Sequence, residues 1–280
     1  MNAAAFVTIL AAAATGQADW YQPFPAHRVV GNVYYVGSKD LATYLITSPQ
    51  GHILINSGFE QTVPLIQKSV ESLGFKMTDV KFILASHAHS DHVEGHALLK
   101  ERTGAKVVVM EGDDGVIASG GKGQYFYTDS RWKPCPVDRV IHDGDTVSVG
   151  DVTLKAVRTP GHTRGCTTWV WQASEGGKTY DVVVIGSPNV NPGFKLVDNA
   201  DYPEMAADYA HTFATLKALK CDVFLGAHGA YYGMIAKHER AKKAPGANPF
   251  VDPEGYRAYV ADREKAYRTA LEAQSKAKPK

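Results

Sequence analysis

The chain is 280 residues long, 44% hydrophobic and nearly neutral, with a formal net charge of +1 at pH 7. This length suits one large α/β domain or two small ones, and the apolar content allows a substantial core. Near-neutrality gives no electrostatic basis for binding nucleic acid or an anionic membrane, so we expect a small-molecule substrate. With only three cysteines, Cys135, Cys166 and Cys221, the chain has no disulfide framework. The sequence still allows one disulfide bond between two of them.

The first 18 residues differ from the rest of the chain. Ala3–Ala14 is a short apolar run, and it is followed by small and polar residues up to Ala18. This pattern predicts a secretory signal over residues 1–18 and a periplasmic or secreted protein of residues 19–280. Neither the apolar run nor any later segment is long enough to span a bilayer, so we expect no membrane partner.

The first half of the chain predicts alternating strands and helices after an extended, proline-broken arm at Asp19–Arg28. The predicted strands are Val33–Val36, Ala42–Thr47, His52–Asn56, Val80–Ala85 and Lys106–Met110, and the predicted helices are Thr62–Leu73 and Val93–Arg102. Glu111–Asp138 then interrupts the pattern with a glycine- and aromatic-rich loop. Loops of this length inside a domain are often functional, so we expect Gly120–Trp132 and the arm at Trp20 and Tyr21 to border a pocket.

The second half predicts more strands and then helices. The strands are Arg139–Val140, Thr146–Val149, Thr153–Arg158, Thr167–Gln172, Asp181–Ile185 and Asp222–Leu225, and the helices are Met205–Leu219, Lys237–Lys243 and Tyr256–Lys276. Strands that alternate with helices indicate layered sheets with helices outside.

A histidine-rich turn follows the buried strand Val80–Ala85. His87, His89, Asp91 and His92 lie within six consecutive residues. Imidazole and carboxylate groups at this spacing suit a divalent metal, above all zinc. Catalytic groups in α/β folds commonly lie at strand ends, so this turn is the candidate centre of the protein's chemistry.

Two further histidines also follow predicted strands beside small residues. His162 lies in Pro-Gly-His-Thr after Thr153–Arg158, and His228 lies in Gly-Ala-His-Gly after Asp222–Leu225. We therefore expect both to join the metal site. His96 lies one helical turn after His92 and is the principal false candidate. The others are interpreted as surface or structural residues: His27, His52, His142, His211 and His238.

The motif His-x-His-x-Asp-His, followed by Pro-Gly-His-Thr and a late Gly-x-His, resembles the metallo-β-lactamase superfamily. The chain looks most like subclass B3, because its motif ends in Asp91-His92 and no cysteine follows the strand Asp181–Ile185. The resemblance implies an α/β fold, a four-layer αββα sandwich, over residues 19–280. It also implies a hydrolase in which a metal-bound hydroxide attacks the carbonyl of a β-lactam ring. We expect a monomer, although the sequence itself carries no signal of oligomeric state.

The same resemblance assigns roles to particular residues. Two Zn²⁺ ions are implied, the first held by His87, His89 and His162, and the second by Asp91, His92 and His228. Asp91 would also orient the nucleophile. Ser187 and Asn191, with Asn189 as a substitute, would bind the carboxylate of the substrate. Asn56 stands where superfamily members commonly have aspartate; an asparagine can still hydrogen-bond a ligand but supplies no charge to tune it.

Two other functions remain open at this point. Glyoxalase II-like and lactonase-type hydrolases of thioesters and lactones share the histidine motif, but they usually carry an aspartate near the end of the strand at Asp181–Ile185. Here the following turn begins Gly186-Ser187-Pro188, and Asp181 lies too far back. A zinc-binding protein without turnover is the third possibility, although all six ligand positions are intact.

Overall fold

The computed structural model describes residues 18–244 and 246–277. The predicted signal therefore lies outside the described residues, apart from Ala18. In the described part of the chain, no helix has the length and apolar character needed to cross a membrane. Cys135, Cys166 and Cys221 are all buried and free.

Within the described residues, twelve strands form two sheets, one of seven strands and one of five. The first sheet contains, in chain order, β1 (His27–Val30), β2 (Val33–Tyr35), β3 (Tyr44–Ser48), β4 (Gly51–Ile55), β5 (Val80–Leu84), β6 (Lys106–Met110) and β7 (Arg139–Ile141). The second sheet contains β8 (Thr146–Val149), β9 (Val152–Arg158), β10 (Thr167–Glu175), β11 (Lys178–Ile185) and β12 (Val223–Gly226). Strands β4 to β7 are parallel to one another, as are β11 and β12, whereas the other pairs are antiparallel.

Helices cover the outer faces of both sheets. They are α1 (Val63–Ser72), α2 (Ser90–Val93), α3 (His96–Thr103), α4 (Asp114–Ala118), α5 (Met205–Ala218), α6 (Met234–Lys243) and α7 (Pro253–Lys276), with 3-10 turns at Glu60–Thr62, Met77–Asp79 and Gly229–Tyr232. This arrangement confirms the predicted four-layer αββα sandwich.

The alternation of side chains along the central strands explains the four layers. In β6, Val108 and Met110 join the core between the two sheets, whereas Val107 and Val109 join the core beneath α1 and α3. Successive side chains of a strand point to opposite faces, so a continuous apolar strand needs a partner layer on each side. The apolar runs in the sequence reflect this double burial.

The predicted helix Val93–Arg102 was wrong in its bounds, because the chain forms two helices there. Helix α2 ends at Val93, and α3 begins at His96. Between the two helices, Gly95 donates its N–H to the carbonyl of Gly58. A Cβ at position 95 would lie 2.8 Å from the backbone carbonyl oxygen of Ser57. This close approach requires glycine. The chain changes direction at this residue, directly after the histidine motif. The arm prediction also missed β1, which pairs with β2.

Candidate metal centre

The candidate site lies where three strands end. The loop after β5 carries His87 and His89 and leads into α2, which carries Asp91 and His92; the loop after β9 carries His162, and the loop after β12 carries His228. All of them except His92 line a cavity of about 470 Å³. Its walls are formed by Trp20, Asp40, His87, His89, Ser90, Asp91, Gln124, Tyr127, Ser130, His162, Asn189, Asn191, His228, Ala230 and Tyr231.

His87, His89 and His162 form the first group of possible ligands. Their ligand atoms lie within 4.8 Å of one another, and all three residues are buried. Nδ1 of His162 lies 2.7 Å from the carbonyl oxygen of Asn189. Because a carbonyl oxygen only accepts, Nδ1 carries the proton and Nε2 keeps its lone pair for a metal. The backbone of the loop after β11 therefore sets the tautomer of this histidine.

Asp91, His92 and His228 form the second group. Asp91 Oδ2 lies 3.2 Å from Nε2 of His92 and 3.4 Å from Nε2 of His228. His87 also lies near this group, since its ligand atom is within 4.8 Å of those of Asp91 and His92. Nε2 of His92 is buried and makes no hydrogen bond to the described residues. A buried nitrogen without a partner beside a carboxylate is the donor set that a divalent cation would satisfy, so the residues fit zinc.

The two groups differ electrostatically. Burial, together with the neighbouring imidazoles, holds the pKa values of His87 and His162 well below the usual value, so both rings are neutral. Burial alone would raise the pKa of Asp91, but His92 and His228 hold that pKa well below its usual range. Burial would lower the pKa of His228, yet Asp40 and Asp91 raise it to about 9. Neutral imidazoles and an ionised carboxylate are the forms that bind metals, so His228, unlike the histidines of the first group, must release a proton when it binds one.

His96 is close to the motif in sequence, but its side chain does not line the cavity. Its Nδ1 lies 2.7 Å from the Ser57 hydroxyl, and burial lowers its pKa to about 3. His96 belongs to neither cluster of possible metal ligands among the described residues, in agreement with its interpretation as a false candidate. His27, His52, His142, His211 and His238 are likewise absent from the walls of the cavity.

Asn56 holds the histidine loop against the sheet in place of the expected aspartate. Its Oδ1 accepts from the N–H of Ser86 at 2.8 Å, and its Nδ2 donates to the carbonyl of Ala42 at 3.3 Å. The same Nδ2 lies 3.5 Å from Nδ1 of His92. An ionised aspartate could accept from Ser86 but could not donate to Ala42, so the amide supplies a different hydrogen-bonding pattern and no charge.

Asp113 is a buried residue that the sequence interpretation missed. Its Oδ2 accepts from the N–H of Ala88 at 2.8 Å and from the hydroxyl of Thr163 at 2.7 Å, and its Oδ1 accepts from the N–H of Gly165 at 2.9 Å. Ala88 lies between two candidate ligands, and Thr163 follows a third. One carboxylate therefore joins the two loops that bring the first group together. Burial raises its pKa to about 6, although the three donors oppose that shift.

We expect Asp113→Asn to lower the free energy of unfolding of the zinc-free protein by about 1–3 kcal/mol, because an amide N–H₂ would face buried donors. Urea unfolding at pH 8, where the native carboxylate is ionised, measures this. Asp114→Asn is the matched control, because the side chain of Asp114 accepts a hydrogen bond from the N–H of Gly112 at an exposed position. Equal stabilities of the two variants would contradict the role given to Asp113.

The pocket border was predicted correctly in part. Trp20 and Tyr127 line the cavity, together with Gln124 and Ser130. Tyr125 instead donates its hydroxyl to the carbonyl of His162 at 2.7 Å and packs against Phe194 and Tyr202. Trp132 is buried in the outer core. Within this one loop, some aromatic residues therefore line the cavity and others pack the loop against the rest of the protein.

The two predicted substrate-binding residues occupy different positions. Asn191 reaches the cavity, where its Nδ2 donates to the hydroxyl of Tyr127 at 2.9 Å. Ser187 is only 1% exposed, and its hydroxyl lies 3.2 Å from that of Tyr231, which lines the cavity instead. Asn189 also lines the wall.

A two-sheet sandwich with such a histidine cluster at its strand ends defines a class of metallohydrolases. The family model described as "Metallo-beta-lactamase superfamily" matches residues 42–174. Together with the likeness of solved structures over nearly the whole chain, this shows that the chain belongs to the metallo-β-lactamase superfamily.

Within the superfamily the chain is similar to solved subclass B3 enzymes. The native FEZ-1 metallo-β-lactamase from Legionella gormanii is 46% identical, with a TM-score of 0.88 over 91% of this chain and 98% of that chain. BJP-1, a subclass B3 metallo-β-lactamase of Bradyrhizobium japonicum, is 38% identical, with a TM-score of 0.86 over 92% of this chain and 98% of that chain. These findings confirm the resemblance to subclass B3.

The match to curated relatives covers less of the chain. A hydroxyacylglutathione hydrolase from Rhodopseudomonas palustris (strain BisB5) is 30% identical over 128 residues, which are 46% of this chain and 42% of that protein. The chain thus spans less than half the length of such a relative.

Proposed function

We propose that this protein is a zinc-dependent hydrolase that opens the β-lactam ring. The observation that carries the proposal is its 46% identity to a metallo-β-lactamase over 98% of that chain. The identity extends through both sheets, whereas the thioester hydrolase named above matches only part of this chain. The reaction adds one water across the lactam C–N bond: the hydroxyl goes to the carbonyl carbon and one proton to the nitrogen, which yields an amine and a carboxylic acid that then ionises.

The residues would divide the work as follows. His87, His89 and His162 would hold one zinc ion, and Asp91, His92 and His228 would hold a second. Zinc ions supply Lewis acidity, which polarises a carbonyl and makes water more acidic. Asp91 Oδ2, between two imidazoles, is placed to orient a nucleophilic water and to accept its proton. No covalent bond between enzyme and substrate is needed.

The carboxylate of the substrate would be held by the wall formed by the loop after β11. Asn191 presents its amide nitrogen there, already donating to Tyr127. Tyr231 presents a hydroxyl that Ser187 holds in place. Ser187 would then act on the substrate through Tyr231, which refines the role that the resemblance implied for it.

We expect Asn191→Ala to lower kcat/KM on several β-lactams about ten- to hundredfold, mainly through KM, because a hydrogen bond to a charged group is lost. Steady-state kinetics measure the effect, and zinc content should not change. Tyr127→Phe is the control, since it removes only the hydroxyl that the amide contacts in the free protein. If Asn191→Ala and Tyr127→Phe both keep the kinetics of the parent, Asn191 does not bind the carboxylate.

Thioester hydrolysis is the second candidate, and the likeness to the hydroxyacylglutathione hydrolase favours it. The chain lacks a carboxylate in the turn Gly186-Ser187-Pro188 after β11. Asp181 lies farther back in β11, where Lys220 and Gln172 bind it. The usual aspartate of the thioester and lactone hydrolases therefore has no counterpart at this strand end.

A comparison of substrates tests the proposal. The purified protein would be assayed with a chromogenic cephalosporin and with a glutathione thioester, before and after a chelator and after zinc is restored. Turnover of the cephalosporin that falls with chelator and returns with zinc supports the proposal. Turnover of the thioester alone supports the second candidate. Bound zinc without turnover of either compound would indicate a protein that binds zinc without catalysis.

A further inference from the structure

Asp40 lies behind the candidate ligand His228, on the side away from the other ligands. Its Oδ2 accepts from Nδ1 of His228 at 3.0 Å and from Nε1 of Trp20 at 3.1 Å, and its Oδ1 accepts from the N–H of Ala230 at 2.8 Å. An ionised carboxylate only accepts, so it fixes the proton of the imidazole on Nδ1. Nε2 of His228 is then directed at Asp91, 3.4 Å away.

The backbone fixes the position of this carboxylate. Asp40 belongs to the loop between β2 and β3, and its carbonyl accepts from the N–H of Gly229 at 2.7 Å. The next residue, Leu41, forms an isolated antiparallel bridge with His228. The loop and the histidine turn thus form one paired unit, which limits the directions available to the imidazole.

The arm before β1 is attached to the same unit. Lys39 binds Asp19 through its ammonium group at 2.9 Å and donates its backbone N–H to the carbonyl of Gln22 at 2.8 Å. The ring of Trp20 lies 5.7 Å from that of His228 and 6.2 Å from that of Phe59. Since Oδ2 of Asp40 binds both the indole and the imidazole, the arm shares the oxygen that orients the ligand.

We propose that Asp40 is a positioning residue for His228, and that the indole N–H of Trp20 completes it, so that these two hydrogen bonds to Oδ2 of Asp40 set the affinity of the second metal position. The proposal rests on the assignment of His228 as a ligand under the proposed function. Partners of metal-bound histidines fix the ring and raise its basicity, and their loss typically weakens metal binding about 10- to 100-fold.

Four variants test this: Asp40→Asn, Trp20→Phe, Asp19→Asn and His228→Ala. Trp20→Phe deletes the N–H donor and keeps a smaller aromatic ring against Phe59. Asp19→Asn is the control, because it weakens the arm at Lys39 without touching Asp40. Stepwise Co²⁺ and Zn²⁺ titrations against a competing chelator give separate affinities for the tighter and the weaker ion, and thermal unfolding of the metal-free proteins reports on folding.

We expect Asp40→Asn to weaken the more weakly held ion about 10- to 100-fold and Trp20→Phe about fivefold, with the tighter ion unchanged in both. Asp19→Asn should match the parent. In the zinc-loaded parent, the Nδ1 proton of His228 should give a protected downfield NMR signal that shifts in both variants. If Asp40→Asn does not fold, Trp20→Phe alone decides, because it keeps an aromatic ring in the arm.

Three results would overturn the proposal in distinguishable ways. Affinities equal to those of the parent in Asp40→Asn and Trp20→Phe, with a lost ion in His228→Ala, would refute positioning by Asp40 and leave the proposed function intact. Affinities equal to those of the parent in all three would refute the assignment of His228 as well. Equal weakening in Trp20→Phe and Asp19→Asn would assign the effect to the arm in general and not to the shared oxygen.

Discussion

Replacement of Asp91 by asparagine is expected to lower kcat/KM on β-lactams about 10²- to 10⁴-fold, the range that a positioned acid or base contributes. Its side chain is 15% exposed and lies within 3.4 Å of Nε2 of both His92 and His228. Asparagine keeps the size of the residue but removes the charge and the proton acceptor. Because the two imidazoles hold the pKa of Asp91 well below its usual range, the native group is ionised throughout the neutral range.

The matched control is Glu94→Gln, three residues further along. Glu94 is a half-buried carboxylate of the same turn, but it does not line the cavity. We expect its kinetics and zinc content to equal those of the parent. Steady-state rates and zinc analysis of both variants separate loss of chemistry from loss of metal. If Asp91→Asn stays within about threefold of the parent while holding both ions, Asp91 has no part in the reaction.

The candidate ligands could be predicted from the sequence because each follows a strand directly. The segment after β5 supplies four of them by local spacing, and His162 and His228 follow β9 and β12. Strand ends of a layered α/β fold converge on one edge, so short motifs at these ends indicate a common site. The strands could be predicted as well, because each is a short run of consecutive apolar residues.

Asp40 and Asp113 could not be found in this way, because neither belongs to a motif. Asp40 meets His228 across 188 residues, and Asp113 meets Thr163 across 50. A single aspartate in a loop is usually an exposed turn residue, and only the tertiary contacts distinguish these two. The aromatic loop shows the same limit: Tyr125 anchors the loop, and Tyr127, two residues later, lines the cavity. No periodic pattern in an irregular loop separates wall from anchor.

The largest effects on metal binding are expected from His162→Ala and His228→Ala, each of which should reduce bound zinc from two ions per chain to about one under a competing chelator. His162 completes the first group, whose ligand atoms lie within 4.8 Å of one another. His228 completes the second group through its contact with Asp91. Catalytic zinc sites commonly use three protein ligands, so the loss of one leaves too few to compete with a chelator.

His96→Ala is the control with the opposite pattern of results. His96 is fully buried, and its Nδ1 contacts the Ser57 hydroxyl at 2.7 Å. Its removal leaves a buried hydroxyl with a lost partner and a void, so stability should fall by about 1–3 kcal/mol while zinc content stays at two ions. Two measurements therefore distinguish the variants: His162→Ala and His228→Ala should lower the zinc content per chain, whereas His96→Ala should lower the free energy of unfolding. If His96→Ala loses an ion while His228→Ala keeps both, the second group must be reassigned to include His96 in place of His228.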